Sequence, residues 1–321
     1  MQFMKALRRA SAAATILFAS FAANAQAPTS VTVAYNPGAY MAAFFLGIDQ
    51  GIFKSHGLEL KLVPQSDVAG IVSGVASGQY DFGFGTILHE INARRNGVPV
   101  RVVATVFGNQ RATPERPADG NALIAGPNSG VKTIADLKGK KLGIIGLSSF
   151  HTLELHMLAE RAGIPSQSIT LVQLPFPQMA SALASGDVDA VITQSPFIAD
   201  ATKLGGVTLS KPNRDLFPGT FTTGFLSSDK NIAERKPVVK AFSDAMFASV
   251  KALQTQEAAG RAALAKGLKL NEKSAEGADI CITCEPAIAR GDVAKVQELM
   301  VKYGMLPKTL PVDELIWTEA R

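Results

Sequence analysis

Cysteine is almost missing from this chain: its 321 residues hold two, Cys281 and Cys284, in DICITCEP. A disulfide framework is therefore excluded as the basis of the fold. The pair itself has three readings. A zinc site needs two more ligands, and no histidine lies nearby in sequence. A thioredoxin-type centre needs the motif at the start of a helix early in a βαβ unit, whereas this one lies near the C-terminus. A small structural disulfide is the expected reading, and no function is assigned to it.

Other scarcities narrow the function. There is no G-x-x-x-x-G-K-[ST] loop, so the chain is not expected to hydrolyse ATP. Aromatics make up 7% and no basic stripe runs among them; Lys138, Lys140 and Lys141 in DLKGKK read as solvated surface, and no nucleic-acid partner is expected. Histidines number four, His56, His89, His151 and His156. On a helix of about 3.6 residues per turn, His151 and His156 point about 140° apart, so they do not make a metal pair. No metal and no cofactor is expected.

Long apolar runs are also few. One stands at the N-terminus, where Lys5, Arg8 and Arg9 precede the stretch Ala10 to Ala23 and then Ala23-Asn24-Ala25. A bilayer-spanning helix takes about 20 residues. This shorter stretch, with basic residues before it and a small-x-small site after it, reads as a cleaved export signal over residues 1–25, of the Sec rather than the twin-arginine type. Removing its three basic residues leaves 29 basic against 27 acidic and turns the formal +5 into +2. The mature chain is expected in the periplasm, large enough for a core divided between two lobes.

What is present is a phrase written twice. SGVASGQYDFGFGTI (73–87) and SALASGDVDAVITQSPF (181–197) each carry Ala-Ser-Gly, two residues, then Asp, 108 residues apart. Upstream of the first stand VTVAY, AYMAAFFLGI and LELKLV; upstream of the second stand KLGII, FHTLELHMLAERAGI and ITLVQL. Each half reads strand, helix, strand, helix, strand. Val68, Ile71, Val72 and Val75 mark the buried stripe of the first phrase's helix, and Met179 and Leu183 that of the second. Glycine then closes the helix in the left-handed conformation. Strands alternating with helices imply parallel sheets covered on both faces, with ligands outside the carboxyl ends of the strands.

Two irregular stretches, GNQRATPERPADG (108–120) and LFPGTFTTGFL (216–226), read as crossings between the lobes. Val239, Phe242, Met246, Val250 and Leu253 make one long amphipathic helix, and Val293, Val296 and Met300 another. With no strands of their own, these helices are expected to pack on the first lobe. The expected organisation is lobe 1 over 26–118 and again over 223–321, with lobe 2 inserted over 119–222 and a two-strand hinge between them.

Four strand-to-helix junctions are candidates for the binding site, with N-caps at Asn36, Thr86, Ser149 and Ser195 and with Pro37 and Pro196 at first helical positions. No acid occupies the first three helical positions at any of them, which leaves the helix N-termini free for an anionic group. The serines serve equally as plain caps, and Tyr40 equally as core. Arg111, in the first crossing, is a further candidate for an anion clamp.

GIDQGIFKSHGLELKLVP, ASGQYDFGFGT, IADLKGKKLGIIGLSSFHTLEL and ALASGDVDAVITQSPF together resemble the substrate-binding proteins of ABC importers, in the branch for aliphatic sulfonates, nitrate and thiamine precursors. The resemblance runs from about Val31 to Phe225. It implies the type II periplasmic binding fold, α/β with two lobes, and a non-enzymatic role: a small-molecule solute is captured by lobe closure and delivered to a permease with a separate ATPase. It implies Ser148 and Ser149 as the lobe 2 turn for a head group, with Phe150 beside it. Gly85 and Thr86 match the lobe 1 turn, Asn36 and Tyr40 the first handover, and Gln194, Ser195 and Pro196 the last cleft turn. Sulfonate binders often carry an aromatic at that last turn, so Gln194-Ser195 makes a carboxylate or a heterocycle comparable candidates. A monomer is expected.

The rival reading is an exported hydrolase using Ser149. GLSSF lacks the second glycine of G-x-S-x-G, and no histidine follows position 156, as the α/β-hydrolase order requires. Subtilisin-like and chymotrypsin-like orders stay open on that count. An enzyme of pyrimidine synthesis shares the fold but carries a cysteine-rich motif, which this chain lacks.

Overall fold

The computed structural model describes residues 27–108 and 120–320, apart from Ser148, Pro196, Gly219 and residues 271–274, 277, 279 and 281–284. The expected export signal, Arg111 and both cysteines lie outside the described residues.

The first half contains β1 (Thr29–Tyr35), α1 (Ala42–Asp49), α2 (Ile52–Ser55), β2 (Leu58–Pro64), α3 (Val68–Ser77), β3 (Phe82–Thr86), α4 (Ile87–Arg95) and β4 (Val100–Gly108). The second contains β5 (Asn121–Ala125), β6 (Lys141–Ile144), α5 (Phe150–Arg161), β7 (Thr170–Gln173), α6 (Phe176–Ser185), β8 (Ala190–Gln194), α7 (Phe197–Lys203), β9 (Val207–Ser210) and α8 (Pro212–Leu216). The chain ends with β10 (Phe221–Ser228), α9 (Asp229–Glu234), α10 (Lys236–Thr255), α11 (Glu257–Leu268), α12 (Arg290–Lys302) and α13 (Val312–Leu315).

Two five-stranded sheets result, ordered β2-β1-β3-β10-β4 and β7-β6-β8-β5-β9. Within each, the repeated unit pairs in parallel about its first strand: β1 with β2 and β3, β6 with β7 and β8. The sheets are mixed rather than wholly parallel, because β10 runs antiparallel to β3 and β4, and β5 antiparallel to β8 and β9. Each of these reversed strands is the one by which the chain enters its sheet from the other lobe.

The repeated phrase now has a physical reason. Gly78 and Gly186 end α3 and α6 at φ 81° and 82°, a conformation that costs a residue with a Cβ. Three residues on, Asp81 and Asp189 each bind the strand beside them twice. The Asp81 N–H donates to the Thr32 carbonyl at 2.9 Å, and its Oδ2 accepts from the Thr32 N–H at 2.7 Å. The Asp189 N–H donates to the Lys141 carbonyl at 2.9 Å, and its Oδ2 accepts from the Lys141 N–H at 2.8 Å. In both lobes the phrase closes a helix and clips the third strand to the first, setting their register. Ile71, Val72 and Val75 are buried as the pattern predicts, as are Met179 and Leu183, while Val68 is half-buried.

β4 and β10 lie side by side, with Phe221 opposite Gly108, so both connections to the second sheet leave the first at one place. Of the C-terminal helices, α10 covers the first sheet: Phe242 stacks on Phe82 at 3.9 Å and meets Phe225 edge-on at 5.2 Å. Val239, Met246, Val250 and Leu253 are buried with it. A bridge between Val102 and Ile316 anchors the chain just beyond α13 to β4. The helix α12 makes a further contact, with the second lobe. Lys302 donates to both Glu160 oxygens at 2.7 Å, and the Tyr303 ring stacks on His156 at 5.2 Å, so the end of α12 also touches α5 of the second lobe. These are exposed polar contacts that no apolar period in the sequence could announce.

Candidate functional site

The candidate residues divide between two strand edges. At the carboxyl edge of the first sheet, Asn36 follows β1 and donates from Nδ2 to the carbonyls of Gln65 at 3.0 Å and Ser66 at 3.1 Å, tying the exits of β1 and β2 together. Its Oδ1 accepts from the Tyr40 hydroxyl. Asn36 is not a helix N-cap, and Pro37 is not a first helical residue: a 3-10 turn begins at Ala39 with Gly38 before it. The side-chain amide bridges loop carbonyls through Nδ2, and its Oδ1, the atom a cap would use, is taken by the Tyr40 hydroxyl. Tyr40 stacks on Phe84 at 4.9 Å and 14°, and burial raises its phenol pKa, so it stays protonated.

Thr86 does cap α4. Its Oγ1 accepts from the His89 N–H at 3.4 Å and bonds the His89 Nδ1 at 2.6 Å. Burial lowers the His89 pKa, opposed by the Asp67 carboxylate, and the ring's tautomer sets the direction of the Oγ1–Nδ1 bond. The hydroxyl is thus occupied, and the free donors of α4's first turn are what this edge offers a ligand. Glu90, at the fourth helical position, is fully buried; desolvation raises its pKa well above the ordinary carboxyl range, opposed by the Val102 N–H and by Arg94 and Arg101. Gly85 is buried opposite Gly224, and a Cβ there would lie 2.7 Å from Leu226 Cδ1, so close packing already accounts for this glycine.

At the carboxyl edge of the second sheet, Ser149 is the N-cap of α5 by backbone position but makes no cap bond. Thr152 Oγ1 donates to the Gly146 carbonyl at 3.1 Å and holds the turn in its place. The Ser149 Oγ is buried with no hydrogen-bond partner among the described residues. Phe150 packs at 4.8 Å on Phe217, at the return crossing. Gln194 ends β8 opposite Asn121, and Ser195 is half-buried beside it. Ser148 and Pro196 lie outside the described residues, so the cap expected at Ser195 is named only.

Sequence reading missed the polar groups behind this edge. The Asn121 Nδ2 donates to both Glu154 oxygens at 2.7 Å, while its Oδ1 accepts from the Asn213 N–H at 2.9 Å. Glu154 is fully buried; desolvation raises its pKa to about 8, against the Asn121 hydrogen bond. His151 and Thr193 are buried too. Nothing in spacing marks Asn121, because β5 joins its sheet from the other half of the chain.

The topology relates the two edges. Thr86 ends β3 opposite Thr223, two residues into β10, and Gln194 ends β8 opposite Asn121, the first residue of β5. Strands β10 and β5 are each entered from the other lobe. The candidate residues therefore stand on the sheet edges from which the connections run.

Residues 38–259, well over half of the sequence, match the model of the NMT1/THI5-like family. The chain belongs to that family. One relative within reach of this NMT1/THI5-like chain is a 4-amino-5-hydroxymethyl-2-methylpyrimidine phosphate synthase of Aspergillus parasiticus, 27% identical over 154 residues, which are 48% of this chain and 42% of the synthase. The chain thus matches less than half the length of that relative. An aliphatic sulfonates-binding protein of Escherichia coli is 27% identical over 253 residues, 75% of this chain and 74% of that protein. Among solved structures, the alkanesulfonate-binding protein of Xanthomonas axonopodis pv. citri, bound to MOPS, superposes with a TM-score of 0.71 at 19% identity, over 90% of this chain and 98% of that one. At that identity the likeness speaks for the fold alone: the two α/β lobes have the periplasmic binding protein fold.

Proposed function

We propose that this chain is the periplasmic solute-binding component of an ABC importer, holding one small solute between the carboxyl edges of its two sheets. The carrying observation is that both sets of candidate residues border the strands that join the lobes. A solute touching both edges binds the closed arrangement better than the open one and shifts the population toward it. The solute classes are a sulfonate, a carboxylate, a nitrate-like ion or a heterocycle. The sulfonates-binding relative and the family membership support this reading. The synthase relatives name the alternative, conversion of the bound molecule.

Thermal-shift and calorimetric titration with these solute classes tests it, since a binding solute stabilises the fold by RT ln(1 + [L]/Kd), an effect that grows with its concentration. The Ser149→Ala, Thr86→Ala double variant is expected to bind at least about tenfold more weakly, while the lost Thr86 cap costs only about 1 kcal/mol of stability. Unchanged affinity would remove these residues from the site. Mass spectrometry of the bound solute separates the alternatives: a receptor returns it unaltered, and recovery of a new mass overturns the transport reading.

A further inference from the structure

Three rings meet where the helices of the second sheet begin. His151 is the second residue of α5, Phe176 the first of α6 and Phe197 the first of α7. These helices follow β6, β7 and β8, which run parallel, so the rings stand over one edge, the carboxyl edge that carries Ser149 and Gln194. The His151 ring centre lies 5.7 Å from that of Phe176, and Phe176 stacks on Phe197 at 6.0 Å and 16°. Both phenylalanines are half-exposed, whereas His151 keeps only 8% of its surface.

A buried imidazole is ordinarily satisfied by a backbone or side-chain partner. The Nδ1 of His151 has no hydrogen-bond partner among the described residues. The same holds for Oγ of Ser149, two positions earlier, and for Oγ1 of Thr193, fully buried one residue before the end of β8. The first turn of α5 adds backbone N–H groups that no helical carbonyl accepts. Unpaired buried polar atoms cost stability, so their gathering at one strand edge beside aromatic rings is what a binding site retains and a core removes.

We propose that His151 is a ligand-contacting residue: its Nδ1, with the hydroxyls of Ser149 and Thr193, exchanges hydrogen bonds with the polar group of a solute whose apolar body lies against Phe176 and Phe197. This rests on the receptor reading above and narrows it to a solute with both parts, which a bare ion such as nitrate does not have. Desolvation holds the imidazole neutral, its pKa lowered to about 4, so it recognises its partner by hydrogen bonding rather than by charge.

The test titrates wild type, His151→Phe, His151→Leu and His151→Gln with nitrate, 1-hexanesulfonate, benzoate and 4-amino-2-methylpyrimidine, and melts each protein without added solute. One of the last three probes is expected to bind wild type more tightly than nitrate. For that probe, Phe and Leu should weaken binding about ten- to hundredfold and Gln, which keeps a hydrogen-bonding head, about fivefold or less. With no solute, Phe or Leu is expected to melt above wild type, because an apolar group replaces an unpaired polar one. Binding within twofold of wild type in the Phe and Leu variants, or both melting below wild type, makes His151 a structural core residue and overturns the proposal. Nitrate as the tightest probe overturns the narrowing. If no probe binds wild type, the solute classes of the receptor reading fail, and the melting comparison still decides for or against His151.

Discussion

Asp81→Ala is expected to destabilise the fold by about 3 kcal/mol and Asp189→Ala by about 1–2 kcal/mol, chiefly through the same bond to the first strand of each unit. Each carboxylate accepts the backbone N–H of the neighbouring first strand, Thr32 at 2.7 Å and Lys141 at 2.8 Å. A hydrogen bond to a charged acceptor contributes about 1.5–3 kcal/mol, less where water reaches the donor. Thr32 is half-buried and Lys141 exposed, which ranks the two. Asp81 also pairs with Arg235 through Oδ1, a contact that the alanine removes as well. The Asp189 Oδ1 meets Lys140 Nζ at the longer distance of 3.4 Å. Urea denaturation reads the difference as a lower midpoint at constant slope. Asp187→Ala, two residues from Asp189 and exposed, is the control and should fall within about 0.5 kcal/mol of wild type. An Asp81→Ala midpoint equal to that of the control would refute the structural account of the repeated phrase.

Glu154→Gln is expected to stabilise the protein at pH 8.5 by an amount on the order of 4 kcal/mol and to change little at pH 4.5. Burial raises the Glu154 pKa from 4.5 to about 8 in the fold. Between those values the unfolded chain has released this proton and the folded chain still holds it. The folded state therefore binds more protons, and stability falls as pH rises from 4.5 through 8, by up to about 1.4 kcal/mol per pH unit. Glutamine keeps an acceptor for Asn121 Nδ2 and cannot ionise. His151 acts on the other side: its folded pKa lies at about 4 against an ordinary 6.5, so stability is lost as pH falls through that interval. Melting temperature against pH should accordingly show the alkaline decline flattened in Glu154→Gln and the acid decline untouched. Superimposable wild-type and variant profiles would show that the Glu154 carboxyl is not desolvated as its burial requires.

Much of the fold is legible in the letters. The helix period of Val239, Phe242, Met246, Val250 and Leu253 names the face that α10 buries, and all five are buried. The two Ala-Ser-Gly stops name where α3 and α6 end, because only glycine takes those angles without strain. The site was legible more coarsely. Thr86 caps its helix as a threonine after a strand should, but Asn36, which has the same look, is taken by the Gln65 and Ser66 carbonyls. Those carbonyls come from a different loop, so no local pattern holds the information. Spacing relates His151 only to His156, by the angle between them on a helix. The ring it meets belongs to Phe176, which is 25 residues away and begins a different helix.

By itself, then, the sequence determined what local periodicity and turn chemistry can carry: two βαβαβ units, their helix stops, the long amphipathic helices and a family resemblance. Tertiary structure alone decided which strands reverse, that α12 reaches the second lobe, and which polar atoms at the sheet edges are paired or left over. The reason is that hydrogen bonding and desolvation at those edges depend on neighbours brought together from distant parts of the chain, and one-dimensional spacing does not record that proximity.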